Sequence, residues 1–77
     1  MTEPSNKDRS RRAELTLIAY AALERRTDEL AGSGAVETLL SDLLADFMHF
    51  AWLMNIDYQN CADVAGMHFR AEIAEAT

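Results

Sequence analysis

The chain has 77 residues, a formal net charge of −6 and a hydrophobic content of 49%. This is enough apolar material for one folded domain, but a chain this short buries a smaller fraction of its surface than a larger domain does. The single cysteine, Cys61, excludes an internal disulfide. Small domains without such a crosslink often need a partner. We therefore expect a homodimer or a docked second protein.

The N-terminal residues show no apolar run with a cleavage site, which a secretion signal would require. One free thiol is also typical of a reducing compartment, so the expected location is the cytoplasm. The longest apolar run is interrupted by Asp and His and is not expected to span a bilayer. No membrane partner is therefore expected.

Charge is distributed unevenly along the chain. Residues 1–27 carry six basic and four acidic residues, a net charge of +2, whereas residues 28–77 carry one arginine and nine acids, a net charge of −8. A nucleic-acid-binding protein concentrates positive charge on the element that meets phosphate. A nucleic-acid partner is therefore not expected, and a DNA-binding regulator ranks lowest among the functions considered.

Hydrophobic periodicity predicts an all-α three-helix bundle, with helices at about residues 7–30, 35–54 and 58–76, which we expect dimerisation to complete. Residues 1–6 are predicted to be a flexible N-terminus, followed by a single helical domain over residues 7–77. In the first helix, the face expected to pack carries Leu15, Ile18, Ala19, Ala22, Leu23 and Leu30. Leu17, Tyr20 and Ala21 lie on the other side, where a monomer would expose them to water.

Two breaks separate the predicted helices. Gly32 suits the left-handed position that ends the first helix, and Ser33 suits the N-cap of the second. At the second break, Asn55 tolerates a left-handed backbone and Asp57 is a good N-cap for the third helix. Both connections are therefore predicted to be short.

The second helix carries the longest apolar-rich run, at residues 36–54. Its apolar positions cover about half of the helix circumference, which is wider than the stripe of a surface helix. Core packing is expected to account for Phe47 and Phe50, whereas Trp52 and Leu53 lie toward the margins and are expected to contact a partner. The candidate interface residues are Phe47, Met48, Trp52, Leu53 and Tyr20.

The polar side of the second helix holds a candidate metal site. Asp42, Asp46 and His49 are spaced by four and three residues, so they lie on one flank, and such groups bind divalent metals in helical bundles. His68 and Glu72 would join them from a second subunit. The alternative interpretation is that these are solvated acids and locally hydrogen-bonded histidines, with no cofactor. A catalytic residue is not predicted.

Three segments carry a resemblance: DLLADFMH at residues 42–49, IDY at residues 56–58 and AGMHFRAE at residues 65–72. They resemble short bacterial proteins carried on phages, plasmids and other mobile elements, which share a D-L-x-x-D-L-x-H-like helix and an H-[FY]-x-x-E-like run. The likeness covers about residues 37–75, and Phe47 replaces the second leucine of the pattern. It implies a mobile-element origin and binding to a host protein, and it implies no activity.

These observations favour an acidic, homodimeric protein–protein interaction module that is not an enzyme. The alternative is a small metal-binding protein or metal-dependent hydrolase that uses Asp42, Asp46 and His49. The first hypothesis depends on the wide apolar face of the second helix, and the alternative depends on the spacing of its polar flank.

Overall fold

The computed structural model describes residues 4–76, which form three α-helices and one short 3-10 helix, with no strand among them. The α-helices are α1 (Asn6–Leu23), α2 (Ser33–Leu53) and α3 (Tyr58–Ala76). A 3-10 segment (Thr27–Ala31) lies between α1 and α2. The predicted all-α fold with three helices is confirmed. Of the predicted flexible N-terminus, residues 1–3 lie outside the described residues, and Asn6 already belongs to α1.

The region predicted as one helix over residues 7–30 is divided in two, because α1 ends at a left-handed residue, Arg25 (φ 57°). The Arg26 N–H donates to the Ala21 carbonyl at 2.7 Å, which is the long hydrogen bond of a Schellman motif. Glycine usually occupies this left-handed position. Because residue 25 is an arginine, the sequence does not predict that the helix ends here. The expected roles of the next break are also wrong: Gly32 is extended and precedes α2, and Ser33 is its first residue.

The end of α2 repeats the same motif and agrees with the prediction. Asn55 takes the left-handed position (φ 57°), and the Ile56 N–H donates to the Ala51 carbonyl at 2.8 Å. Asparagine tolerates this conformation better than most residues with a side chain. The sharp turn that follows sends α3 back past the C-terminal half of α2.

The first and third helices begin with side-chain caps. Ser5 accepts the Asp8 N–H at 3.1 Å, and the Asp8 carboxylate accepts the Ser5 N–H at 3.1 Å, which completes a capping box. At α3, Asp57 accepts the Asn60 N–H at 3.0 Å, as predicted. These caps satisfy backbone donors that the first turn of a helix leaves unpaired.

The core of the described chain is very small. Only Ala21, Leu39 and Ala51 are buried, and Leu39 is the one large side chain among them that is fully buried. Ala21 and Ala51 are the carbonyl acceptors of the two Schellman motifs, so both helix ends turn directly against the core. A core of this size provides little of the hydrophobic stabilisation that a domain normally has.

The packed face of α1 is the opposite of the one predicted. Ala21 is fully buried and Leu17 and Tyr20 are half-buried, whereas Leu15 and Leu23 are 50% and 84% exposed. The small Ala21 side chain lets α1 come close to its neighbours, and only this orientation brings the Tyr20 hydroxyl to a carboxylate of α2. The face with the larger apolar side chains is thus left at the surface.

The three helices touch one another over short lengths and form an open arrangement. The start of α1 reaches the end of α3, where Asn6 Nδ2 donates to the Glu72 carbonyl at 3.1 Å and Arg9 pairs with the Glu72 carboxylate at 3.2 Å. The radius of gyration is 14.4 Å, compared with about 11.5 Å for a compact domain of this length. The chain is therefore more extended than a closed bundle.

Candidate interaction surface

Two apolar grooves lie on either side of α2. The groove between α2 and α3 has a volume of about 340 Å³, and its lining includes Phe47, Phe50, Ala51, Cys61, Ala62 and Ala65. The groove between α1 and α2 has a volume of about 440 Å³, and its lining includes Ala13, Leu17, Val36, Leu40, Leu43 and Phe47. Phe47 lines both, so the two grooves form one continuous surface, which we call the double groove.

Most large apolar side chains of the described chain are in contact with solvent. Sixteen of them are exposed, and they occur on all three α-helices. Phe47 and Phe50 are 48% and 58% exposed, so core packing does not account for them as expected. A monomer does not normally expose so much apolar surface unless that surface has a binding role.

A second apolar surface lies on another side of α2. Ala45, Met48, His49 and Trp52 line an open depression of about 520 Å³ there, which we call the Trp52 surface. Trp52 is 84% exposed, and the neighbouring Leu53 is 81% exposed. The predicted interface residues on α2 are therefore available, whereas Tyr20 is half-buried and already hydrogen-bonded within the chain.

Two polar contacts hold the 3-10 segment and α1 against α2. Arg26 donates to Glu29 at 2.6 and 2.8 Å and to Asp42 at 2.8 Å. The hydrogen bond from Arg26 holds the pKa of the Glu29 carboxyl below its usual value. The contact with Glu29 lies within the 3-10 segment and its N-cap, and the contact with Asp42 joins that segment to α2.

The second contact joins the Tyr20 hydroxyl to Asp46 Oδ2 at 2.6 Å. This hydrogen bond needs the protonated phenol, so it raises the pKa of Tyr20 to about 12. Asp46 and Asp42 thus share one side of α2 and are both used to hold other elements of the same chain.

The candidate metal ligands are not brought together in one chain. Asp42 and Asp46 accept hydrogen bonds from Arg26 and Tyr20, His49 lies on the Trp52 surface, and Glu72 pairs with Arg9. His68 is exposed on α3. Within the described residues, no group of three or more His, Cys, Asp or Glu side chains is placed to hold a metal ion. A site shared between two subunits, with His68 and Glu72, stays a prediction.

Among the described residues, three of the six basic side chains in residues 1–27 pair with a carboxylate. Arg9 pairs with Glu72, Arg11 with Glu14, and Arg26 with Glu29 and Asp42. Such pairs lower the positive charge that the first helix presents to a phosphate backbone.

Sequence reasoning did not identify Arg26 as an organising residue. Its pairing with Glu29 follows the i, i+3 spacing of oppositely charged side chains, from which this ion pair could have been predicted. Its contact with Asp42 spans 16 positions and depends on the turn at Arg25, so no local pattern indicates it. The role of Phe47 as the residue shared by two grooves is likewise a tertiary property.

No family model, curated protein or solved structure matches this chain. Among the described helices, none combines the length and the apolar character needed to cross a bilayer.

Proposed function

We propose that this chain is a non-enzymatic protein–protein interaction module that works as a homodimer. The supporting observation is its accessible surface of 6475 Å². A compact monomer of 8.6 kDa would expose only about 4,700 Å². The chain thus exposes about 1,800 Å² more than its mass requires, and sixteen large apolar side chains contribute to its exposed surface.

The size of this excess favours self-association over a transient partner. If two copies each covered it, their interface would bury about 3,600 Å² in total, which lies in the range of obligate homodimers. A standard-size complex between two proteins buries only about 800 Å² on each partner, and transient complexes often bury less. The very small core supports the same proposal, because a partner that is always present would supply the missing burial.

The module also has a surface for another protein. Met48, Trp52 and Leu53 are exposed on α2, and Trp and Met are enriched at protein contacts. The net charge of −8 over residues 28–77 supports a partner with a basic face. The resemblance to mobile-element proteins supports a host protein as that partner, and the single free thiol supports the cytoplasm as the location.

The homodimer is tested by measuring the solution mass with light scattering, with and without EDTA. The expected mass is twice the 8.6 kDa of one chain, and EDTA is expected to have no effect. A folded monomer at every concentration would contradict the proposed homodimer. An assembly that EDTA dissociates would instead support the intersubunit metal site.

Binding of a host protein is tested by crosslinking in a host lysate, comparing two single variants. Trp52→Ala is expected to remove a specific crosslinked species, because it deletes the largest exposed anchor of the Trp52 surface. Leu23→Ala is the matched control, since Leu23 is also 84% exposed but lies on α1. Equal crosslinking by both variants and the unmodified protein would argue against this surface.

A further inference from the structure

We infer that a second copy of this chain occupies the double groove, so that Phe47 lies at the centre of the homodimer interface and the Trp52 surface stays outside it. This inference rests on the proposed function, because it names the surface through which the proposed homodimer forms. Because both partners are the same chain, the shape, charge and size of the double groove can each be used to judge this inference.

The shape of the double groove is suited to a copy of itself. Homodimers commonly use two-fold symmetry, in which the same patch of both copies meets. Phe47 lies between two grooves that run along α2. In a two-fold arrangement, the side chains between the grooves of one copy can enter a groove of the other, as ridges enter grooves between packed helices.

The charge of the double groove also favours a copy of the same chain. Each chain carries a net charge of −6, so two copies repel each other wherever carboxylates face carboxylates. Among the residues that line the two grooves, Glu14 is the only charged one, and Arg11 pairs with it. By contrast, another flank of α2 carries Asp42 and Asp46; Arg26 pairs with Asp42, but Asp46 accepts only from the neutral Tyr20 hydroxyl, so like charges would meet there.

The Trp52 surface, a depression of about 520 Å³, is formed by a single helix, which makes it less suited to be the self-interface. All four residues that line it belong to α2, whereas one side of a standard interface draws on about 20–30 residues. The double groove draws on all three α-helices. Covering the Trp52 surface would also leave Phe47 and Phe50 about half-exposed, so the excess apolar area would persist.

The native chain contains one reporter for each surface. Cys61, the single cysteine, is exposed and lines the groove between α2 and α3. Trp52, the single tryptophan, marks the other surface. The experiment measures how fast a maleimide reagent labels Cys61 in the dimer, relative to the denatured chain, and records the Trp52 emission maximum on the same sample.

We expect labelling of Cys61 in the dimer to be slower than in the denatured chain by about tenfold or more, because the reagent must wait for the interface to open. We expect Trp52 emission at the wavelength of a solvent-exposed indole. A dimer in which Cys61 reacts at the denatured rate while Trp52 emission is blue-shifted would overturn the inference and leave the proposed homodimer intact. A folded monomer would overturn both.

A pair of charge insertions tests the same inference by mass. Ala65→Glu places a carboxylate in the double groove, and Ala45→Glu places one on the Trp52 surface; both alanines are exposed and helical. Ala65→Glu is expected to weaken the dimer by about tenfold or more, because two-fold symmetry introduces the charge twice into an apolar interface. Ala45→Glu is expected to dimerise normally.

The inference would be overturned if Ala45→Glu weakened the dimer and Ala65→Glu left it unchanged. If Ala65→Glu fails to fold, the thiol measurement on the unmodified chain still decides the question, because it requires no substitution. The same chain thus reports separately on whether a homodimer exists and on which surface forms it.

Discussion

The Arg26 guanidinium donates to Asp42 Oδ2 at 2.8 Å, and it also donates to the Glu29 carboxylate of the 3-10 segment. Asp42, which the sequence analysis gives as a candidate metal ligand, therefore accepts a hydrogen bond from an arginine instead. Asp46, one turn further along α2, accepts the Tyr20 hydroxyl in the same way. The polar flank of α2 thus holds the first half of the chain in place.

A metal ion at Asp42, Asp46 and His49 would have to displace Arg26 and Tyr20. Adding Mg²⁺, Mn²⁺ or Zn²⁺ is therefore expected to leave the melting temperature unchanged, measured by circular dichroism. His49→Ala is the control, since His49 is exposed and can be removed without disturbing either contact. A saturable rise in melting temperature that His49→Ala abolishes would show that the predicted site exists.

Tyr20 is expected to titrate at about pH 12 rather than at its ordinary pKa of 10.0, because the hydrogen bond to Asp46 needs the phenol proton. The folded-state pKa is raised, so the contribution of Tyr20 to stability is present below pH 10 and is lost as the pH rises toward 12. Tyrosinate absorbance in the Tyr58→Phe protein isolates Tyr20. Asp46→Asn should lower this pKa toward 10; an unchanged pKa would contradict the assignment.

The contact between Arg26 and Glu29 predicts how the stability of the protein changes in acid. Its pKa is lowered by Arg26 from the ordinary value of 4.5, so its contribution to stability is present above pH 4.5 and is lost as the pH falls through the folded-state pKa. Melting temperatures measured across this range should fall less steeply in Glu29→Gln. Glu37→Gln, at an exposed position of α2, is the control and should follow the unmodified protein.

Leu39→Ala is expected to destabilise the fold by about 2–5 kcal/mol, because it opens a cavity at a fully buried leucine. Leu53→Ala, at an 81% exposed position near the end of the same helix, should change the stability by about 0.5 kcal/mol or less. Denaturant unfolding at one protein concentration measures both. Equal effects would mean that Leu39 is not the centre of the core.

Arg25→Gly is expected to stabilise the protein by about 0.5–1 kcal/mol, because glycine adopts the left-handed conformation without steric cost. Asn55→Gly should stabilise the protein less than Arg25→Gly does, since asparagine already tolerates this conformation. Glu24→Gly, at the C-cap, should bring no such gain in stability, because its φ of −87° imposes no left-handed strain for glycine to relieve. A loss on Arg25→Gly would contradict the turn at this position.

Features that depend on a few neighbouring residues could be predicted from the sequence. The bounds of α2 and α3 agree to within two residues, since their periodicity is strong. The cap at Asp57 and the left-handed Asn55 follow from the chemistry of single side chains. The left-handed Arg25 was not predictable, because the surrounding structure imposes a conformation that its own side chain disfavours.

The sequence by itself determined that the chain is all-α, where its second and third helices lie, and that it has more apolar surface than one small core needs. The tertiary structure decided which face of α1 packs, that Asp42 binds Arg26, and that Phe47 joins two grooves. Local periodicity shows that α1 has two apolar faces, but the face that it favours for packing is the wrong one. Their ranking depends on the close approach of Ala21 and on a hydrogen bond from Tyr20 to a residue 26 positions away, and only the folded chain brings those groups together.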